Sequence, residues 1–138
     1  SVAIHVEAPD QHRATLNAIR DSGGRAGLAL DPETPIESLV PFRDQLDFAL
    51  VMTVKSGFGG QTYRPEAAAR MAAIRALVGE RDGHPLPLHV DGGINATTAG
   101  DAAAAGADLL VVGSALFSAQ GPTGMGGAVR AIRESATR

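Results

Sequence analysis

No cysteine occurs among the 138 residues, so the chain has no disulfide frame, no thiolate zinc site and no cysteine nucleophile. Tryptophan is also absent and aromatic residues make up only 4%, which removes the stacking platform used to grip single-stranded nucleic acid. Positive charge is scarce: 12 Lys and Arg against 15 Asp and Glu leave a formal charge of −3. No basic run is present to meet a phosphate backbone. No apolar stretch approaches the ~18 residues of a membrane span. The opening residues carry Glu7 and no basic cluster, so they are not expected to be a signal peptide. These absences predict a cytoplasmic protein with neither nucleic acid nor membrane as a partner. With 44% hydrophobic residues, the chain is long enough to bury a core as a single domain over residues 1–138.

The stretch Leu86 to Asn95 (LPLHVDGGIN) organises the rest. It sets a carboxylate, Asp91, at the carboxyl end of an apolar run and follows it with two glycines, so a ligand can approach the backbone without meeting a Cβ. Asn95 is expected to cap a helix starting near Ala96 and running to Gly106. Upstream, Val2 to Ala8 alternates, with Val2, Ile4 and Val6 on one face and Ala3, His5 and Glu7 on the other. A helix is predicted from Pro9–Asp10 through Ile19, ended by Gly23-Gly24. Arg25 to Leu30 reads as a buried strand, residues 31–35 as a turn, and Ile36 to Phe42 as a short helix. Asp47 to Val54 is apolar on both faces, as a doubly covered parallel strand should be. A helix from about Pro65 to Val78, a polar loop over 79–85, a strand over 108–112 and a final helix to about Ser135 complete the chain.

All five units read β then α, and right-handed crossovers make their strands parallel. Five-eighths of a compact 200-residue barrel comes to ~125 residues, close to this length. An open doubly wound sheet of five strands would also fit, and periodicity does not choose between them.

Three of the strands end in glycine-rich turns: Gly57-Phe58-Gly59-Gly60, Asp91-Gly92-Gly93 and Gly113-Ser114. Such turns free backbone N–H groups to converge on an anion, and a helix N-terminus adds its positive end. Short βα turns favour glycine for their own geometry as well. Three of them at matching strand ends favour a phosphorylated small molecule.

Here a family resemblance becomes specific. Val51-Met52-Thr53-Val54 leading into Gly57-Phe58-Gly59-Gly60-Gln61, with Asp91-Gly92-Gly93-Ile94 downstream, closely resembles the ribulose-phosphate 3-epimerase family. His5-Val6-Glu7-Ala8, Gly27-Leu28-Ala29-Leu30 and Val112-Gly113-Ser114-Ala115 are similar to the same family. The resemblance implies an α/β fold, a TIM (β/α)8 barrel of the ribulose-phosphate-binding type, of which this chain corresponds to strands four to eight. It implies an isomerase of the pentose phosphate pathway interconverting D-ribulose 5-phosphate and D-xylulose 5-phosphate. The proton moves at carbon 3 through an enediolate stabilised by a divalent metal (Zn, Fe, Mn or Co), with no organic cofactor. Partners implied are a phosphorylated ketose and further copies of the chain in a homo-oligomer. Residue by residue, Asp91 corresponds to the catalytic aspartate that is also a metal ligand. Gly57, Phe58, Gly59, Gly60, Gly92, Gly93, Gly113 and Ser114 correspond to substrate- and phosphate-binding positions. Met52 corresponds to an apolar residue packed on the reacting carbons, although a lone Met also serves as core filler.

Two departures stand out. Before Gly57 the family commonly has an acidic or amide residue and then proline, where this chain has Lys55-Ser56. That is expected to loosen the start of the loop and adds a charge near the phosphate. Strands one to three, which carry the family's second aspartate and two metal-binding histidines, are not in this sequence. His5 and His89 face inward by alternation, a position more often taken by hydrogen-bonded core residues than by ligands. His12 and His84 read as helix-surface and loop residues. Alternatives are an epimerase of a hexulose phosphate such as allulose 6-phosphate, and a non-catalytic phosphosugar-binding or assembly module.

Overall fold

Strand order separates the two architectures left open by periodicity. A computed structural model describes residues 1–9, 11–81, 83–121 and 123–137. In chain order the elements are β1 (Val2–His5), α1 (His12–Asp21), β2 (Ala26–Leu30), a 3-10 helix (Ile36–Gln45), β3 (Phe48–Met52) and α2 (Ala67–Val78). Then come β4 (Glu80–Arg81), β5 (His84–Pro85), β6 (Leu88–Asp91), α3 (Ala99–Ala104), β7 (Leu109–Val111), α4 (Ser114–Phe117) and α5 (Gly124–Ala136). The main sheet runs β1-β2-β3-β6-β7, every pair parallel, in the order the chain makes the strands. A doubly wound sheet reverses its order at a switch point and carries helices on both faces. Here the order never reverses, and α1, the 3-10 helix, α2, α3 and α5 pack on one another in succession as one layer. The fold is a five-unit portion of a (β/α)8 barrel.

Alternation assigns the two faces of the sheet. Leu28, Leu30, Ala49, Val51, Leu88 and Val90 join one buried cluster with Leu16 of α1, Leu39, Met71 and Ile74 of α2, Ala102 and Ile132. Each fully buried Leu, Ile, Val or Met side chain contributes roughly 1.5–3 kcal/mol relative to exposure. The opposite, concave face carries Gly27, Phe48, Leu50, Met52, His89 and Asp91. A Cβ on Gly27 would overlap the Phe48 ring, so the glycine makes room for that ring to lie flat. Phe48 in turn stacks on His89 with centroids 4.2 Å apart.

Register is pinned at the opposite end from the glycine turns by two aspartates with the same role. Asp47 accepts the Ala26 N–H at 2.8 Å and Asp108 accepts the Leu88 N–H at 2.7 Å, each tying the strand it precedes to its neighbour. Arg75 of α2 then reaches Asp108 at 2.8 Å.

Several boundaries differ from expectation for local reasons. Helix α1 starts at His12; of the predicted start, Pro9 is non-helical and Asp10 lies outside the described residues. Residues 36–45 are 3-10 rather than α, with Pro41 inside. Proline has no N–H to give to an α ladder, and the tighter helix tolerates short irregular runs. Helix α3 starts at Ala99, not Ala96. Asn95 accepts the Thr97 N–H on its side-chain oxygen at 2.8 Å and the Ala99 N–H on its carbonyl at 2.9 Å, so it caps the turn that leads into the helix. The polar loop after Val78 forms the small antiparallel β4–β5 ladder, with Asp82 outside the described residues.

Candidate functional site

The carboxyl ends of β3, β6 and β7 meet at a cavity of about 430 Å³. Register sets Met52 beside Asp91 and Asp91 beside Val111, so one acid sits between two apolar side chains. Leu50 and Ile94 extend this apolar floor. The walls are glycine turns: Gly57 to Gly59 from β3, Gly92 and Gly93 from β6, and Gly113 with Ser114 from β7. Gly60, expected at the site, does not line the cavity. Phe58 does, but with 81% of its surface exposed it stands at the mouth.

Asp91 is half-buried. Burial pushes its carboxyl above the usual range; hydrogen bonding from the Gly92 amide and the His5 charge pull the other way without cancelling that. An acid tuned upward beside a cavity is a candidate proton carrier. Two other titratable side chains, His5 and Lys55, line the cavity. His5 Nδ1 lies 3.1 Å from Glu7 Oε2. His89 is different: it is 7% exposed, stacked on Phe48, and burial together with the Arg25 charge depresses its pKa. It behaves as a neutral core residue.

The β6 turn is held from two sides. The Thr53 hydroxyl donates to the Gly92 carbonyl, and the Thr53 N–H donates to the Asp91 carbonyl at 2.8 Å. Thr53 is 1% exposed, so this anchor is shielded from water. From the other side the Thr98 hydroxyl donates to the Gly93 carbonyl at 2.9 Å. The glycines themselves are required by close backbone approach. Gly93 has φ +62, and its Cβ would overlap the Tyr63 amide nitrogen and lie 2.8 Å from the Gln61 carbonyl oxygen. A Cβ on Gly92, at φ +117, would lie 2.6 Å from Thr53 Oγ1.

The β3 loop is laced within itself. Gln61 Nε2 donates to the carbonyls of Lys55 at 2.7 Å and Phe58 at 2.8 Å. Its start is tied to β2, since Ser56 donates both its N–H and its hydroxyl to the Asp31 carboxylate, each at 3.1 Å. The loss of proline before Gly57 therefore does not leave this segment unheld. Thr53 and Asp31 are structural parts of the site that sequence reading passed over. Both stand at strand ends facing the glycine turns, a position that would have singled them out.

A larger cavity of about 710 Å³ lies behind the loop and shares only Met52 with the first. It contains no glycine-turn donors, and the Arg70 guanidinium at its edge gives Nη2 to the carbonyls of Asp31 and Thr34, while its Nε is buried with no hydrogen-bond partner among the described residues. Asp91 and the glycine turns line the smaller one.

Among the described residues no group of three or more His, Cys, Asp or Glu side chains is arranged to hold a metal ion. Asp91 and His5 are too few donors for a divalent centre, so the described residues do not by themselves complete one. No helix among them is long and apolar enough to cross a membrane.

A parallel barrel-type sheet with a lone acid among glycine turns at its carboxyl ends defines an α/β-barrel protein with its candidate site at the end where such barrels do chemistry. The chain belongs to the ribulose-phosphate 3-epimerase family: the sequence model described as "Ribulose-phosphate 3 epimerase family" matches residues 1–117. It is 42% identical over 138 residues to ribulose-phosphate 3-epimerase of Rhodobacter capsulatus, covering 98% of this chain and 59% of that protein. Against ribulose-phosphate 3-epimerase of Escherichia coli it is 40% identical over 116 residues, covering 84% of this chain and 51% of that protein. The chain thus spans just over half the length of these curated relatives. Among solved structures, 3-hexulose-6-phosphate synthase from Salmonella typhimurium superimposes with a TM-score of 0.71 at 16% identity, over 99% of this chain and 61% of that one. That likeness is one of fold.

Proposed function

We propose that this chain supplies the phosphate-binding half and one proton-transferring carboxylate of a ribulose-phosphate 3-epimerase. The observation that carries the reading is the placement of Asp91, with its raised pKa, on the apolar floor of a cavity walled by three glycine turns. Removing the proton next to a ketone requires a carboxylate that is ionised yet basic enough to accept it, which partial burial provides. Met52, Leu50 and Val111 keep water from the reacting carbons. The N–H groups of the glycine turns receive the phosphate, and their distance from Asp91 sets which carbon lies over the carboxylate. Inversion needs an acid on each face of the planar intermediate, and Asp91 serves one. The second acid, and the donors that would join Asp91 on the divalent metal the family implies, come from outside these 138 residues. The substrate is a pentulose 5-phosphate, the setting cytoplasmic, and the complete protein a homo-oligomer.

The test is solvent deuterium exchange at carbon 3 in the intact polypeptide that carries this sequence, with ribulose 5-phosphate and allulose 6-phosphate in parallel. Exchange into the pentulose that stops in Asp91→Asn is expected. Near wild-type exchange in that variant refutes the assignment, and preference for the hexulose replaces the substrate.

A further inference from the structure

The turn after β2 touches no part of the cavity, yet it holds the loop that walls it. We propose that Asp31 is a positioning residue for the phosphate-binding loop, its carboxylate fixing through Ser56 where the Gly57–Gly59 donors stand. This rests on reading the glycine turns as the phosphate site.

Asp31 is itself immobilised. Its N–H donates to Glu7 Oε1 at 2.9 Å, and its carbonyl accepts Arg70 Nη2 at 2.9 Å. Glu7 also accepts the Thr34 hydroxyl, and Arg70 also donates to the Thr34 carbonyl, so the turn is gripped from the segment after β1 on one side and α2 on the other. From this fixed base the carboxylate spans to Ser56, 25 residues along the chain, with one oxygen for the N–H and the other for the hydroxyl. Directly beyond Ser56 the backbone enters glycine territory, with Gly57 at φ +111 and Gly60 at φ +77, and a Cβ at Gly57, Gly59 or Gly60 would meet nothing within 4 Å. Such a segment has no packing to define it and much backbone freedom to lose when a ligand orders it. Its definition comes from hydrogen bonds: the Gln61 amide gathers the Lys55 and Phe58 carbonyls, and the Asp31 carboxylate holds Ser56 at the loop's start. Ordering the loop in advance favours phosphate capture and leaves Asp91 untouched, so the effect belongs in binding rather than in the proton-transfer step.

The intact polypeptide is titrated with inorganic phosphate and with ribulose 5-phosphate by calorimetry, with amide hydrogen exchange followed at Gly57–Gly60. Asp31→Ala, losing two hydrogen bonds, should weaken both ligands about tenfold and speed exchange in the loop but not in β6. Asp31→Asn, which keeps an acceptor for the Ser56 N–H, should stay within about threefold of wild type, and kcat should hold within about twofold in all variants. Ser56→Ala should weaken binding by itself, and the double variant with Asp31→Ala should be no weaker than Asp31→Ala, since both act through one contact. Additive losses overturn the proposal, as does Asp31→Ala binding phosphate like wild type or losing kcat with KM unchanged. Wild-type phosphate binding without epimerisation overturns the epimerase reading alone; wild type that binds no phosphate overturns both.

Discussion

A methyl group on Gly93 tests how the site is built. The backbone there has φ +62, a left-handed conformation that costs an L-residue roughly 1–2 kcal/mol. The new Cβ would also overlap the Tyr63 amide nitrogen and stand 2.8 Å from both the Gln61 oxygen and Tyr63 Cα. These are backbone atoms and cannot rotate away, so the β3 loop must shift; overpacking of this kind typically costs about 1–3 kcal/mol. Gly93→Ala should therefore destabilise by about 2–5 kcal/mol. The damage runs outward into the Gln61–Tyr63 backbone, so bulk at this position is aimed at a neighbouring loop before it is aimed at a ligand. Gly59→Ala is the control: nothing lies within 4 Å of its Cβ and its φ is not in the left-handed region, so stability should change by no more than about 0.5 kcal/mol. Urea unfolding of the intact polypeptide, with circular dichroism and a shared m-value, gives both numbers. A loss under about 1 kcal/mol for Gly93→Ala would refute the close approach of the two loops.

Other outcomes follow from the same geometry. Because burial raises the Asp91 pKa, the folded chain holds its proton more tightly than the unfolded one, and this group's contribution to stability falls as pH rises from the usual carboxylate range through that raised value. Asp91→Asn should accordingly flatten that slope in unfolding midpoints measured against pH, and an unchanged profile would contradict the assignment of burial as the cause. The Tyr63 hydroxyl is buried without a hydrogen-bond partner among the described residues, so Tyr63→Phe should leave stability unchanged or raise it by up to about 1 kcal/mol, read by thermal melting. A loss above that would reveal a partner. Finally, β1 and β7 are sheet edges, with Val2 50% and Leu109 45% exposed, so the 138 residues purified alone should associate by light scattering and show no epimerisation. A catalytically active monomer would refute this.

The parallel βα order, the inward row of His5, Met52, His89 and Asp91, and the three glycine-rich strand ends were all legible in the sequence. Each follows from a local rule: period-two alternation, apolar runs bounded by breakers, or glycine after a strand. Helix starts were read less well. Asn95 and Pro9 carry good capping or first-turn chemistry, yet the regular helix after Asn95 begins only at Ala99, and Pro9 precedes a helix that begins at His12. A side chain with several local partners within reach does not announce which it takes.

Tertiary structure decided what local rules do not address. Two folds fit the same five βα units until the strand order was seen to run without reversal. To the reading of Gly93 as a ligand-access position the structure adds a close backbone contact, because Tyr63, thirty positions earlier, lies against it. Lys55-Ser56 read as a loosened loop until Asp31 was found opposite, with both its oxygens on Ser56. Hydrogen bonds and close contacts between segments 25 or 30 residues apart depend on how neighbouring strands are registered and where their loops turn. The sequence therefore specified which residues stand at the strand ends, and only the assembled sheet specified which of them touch.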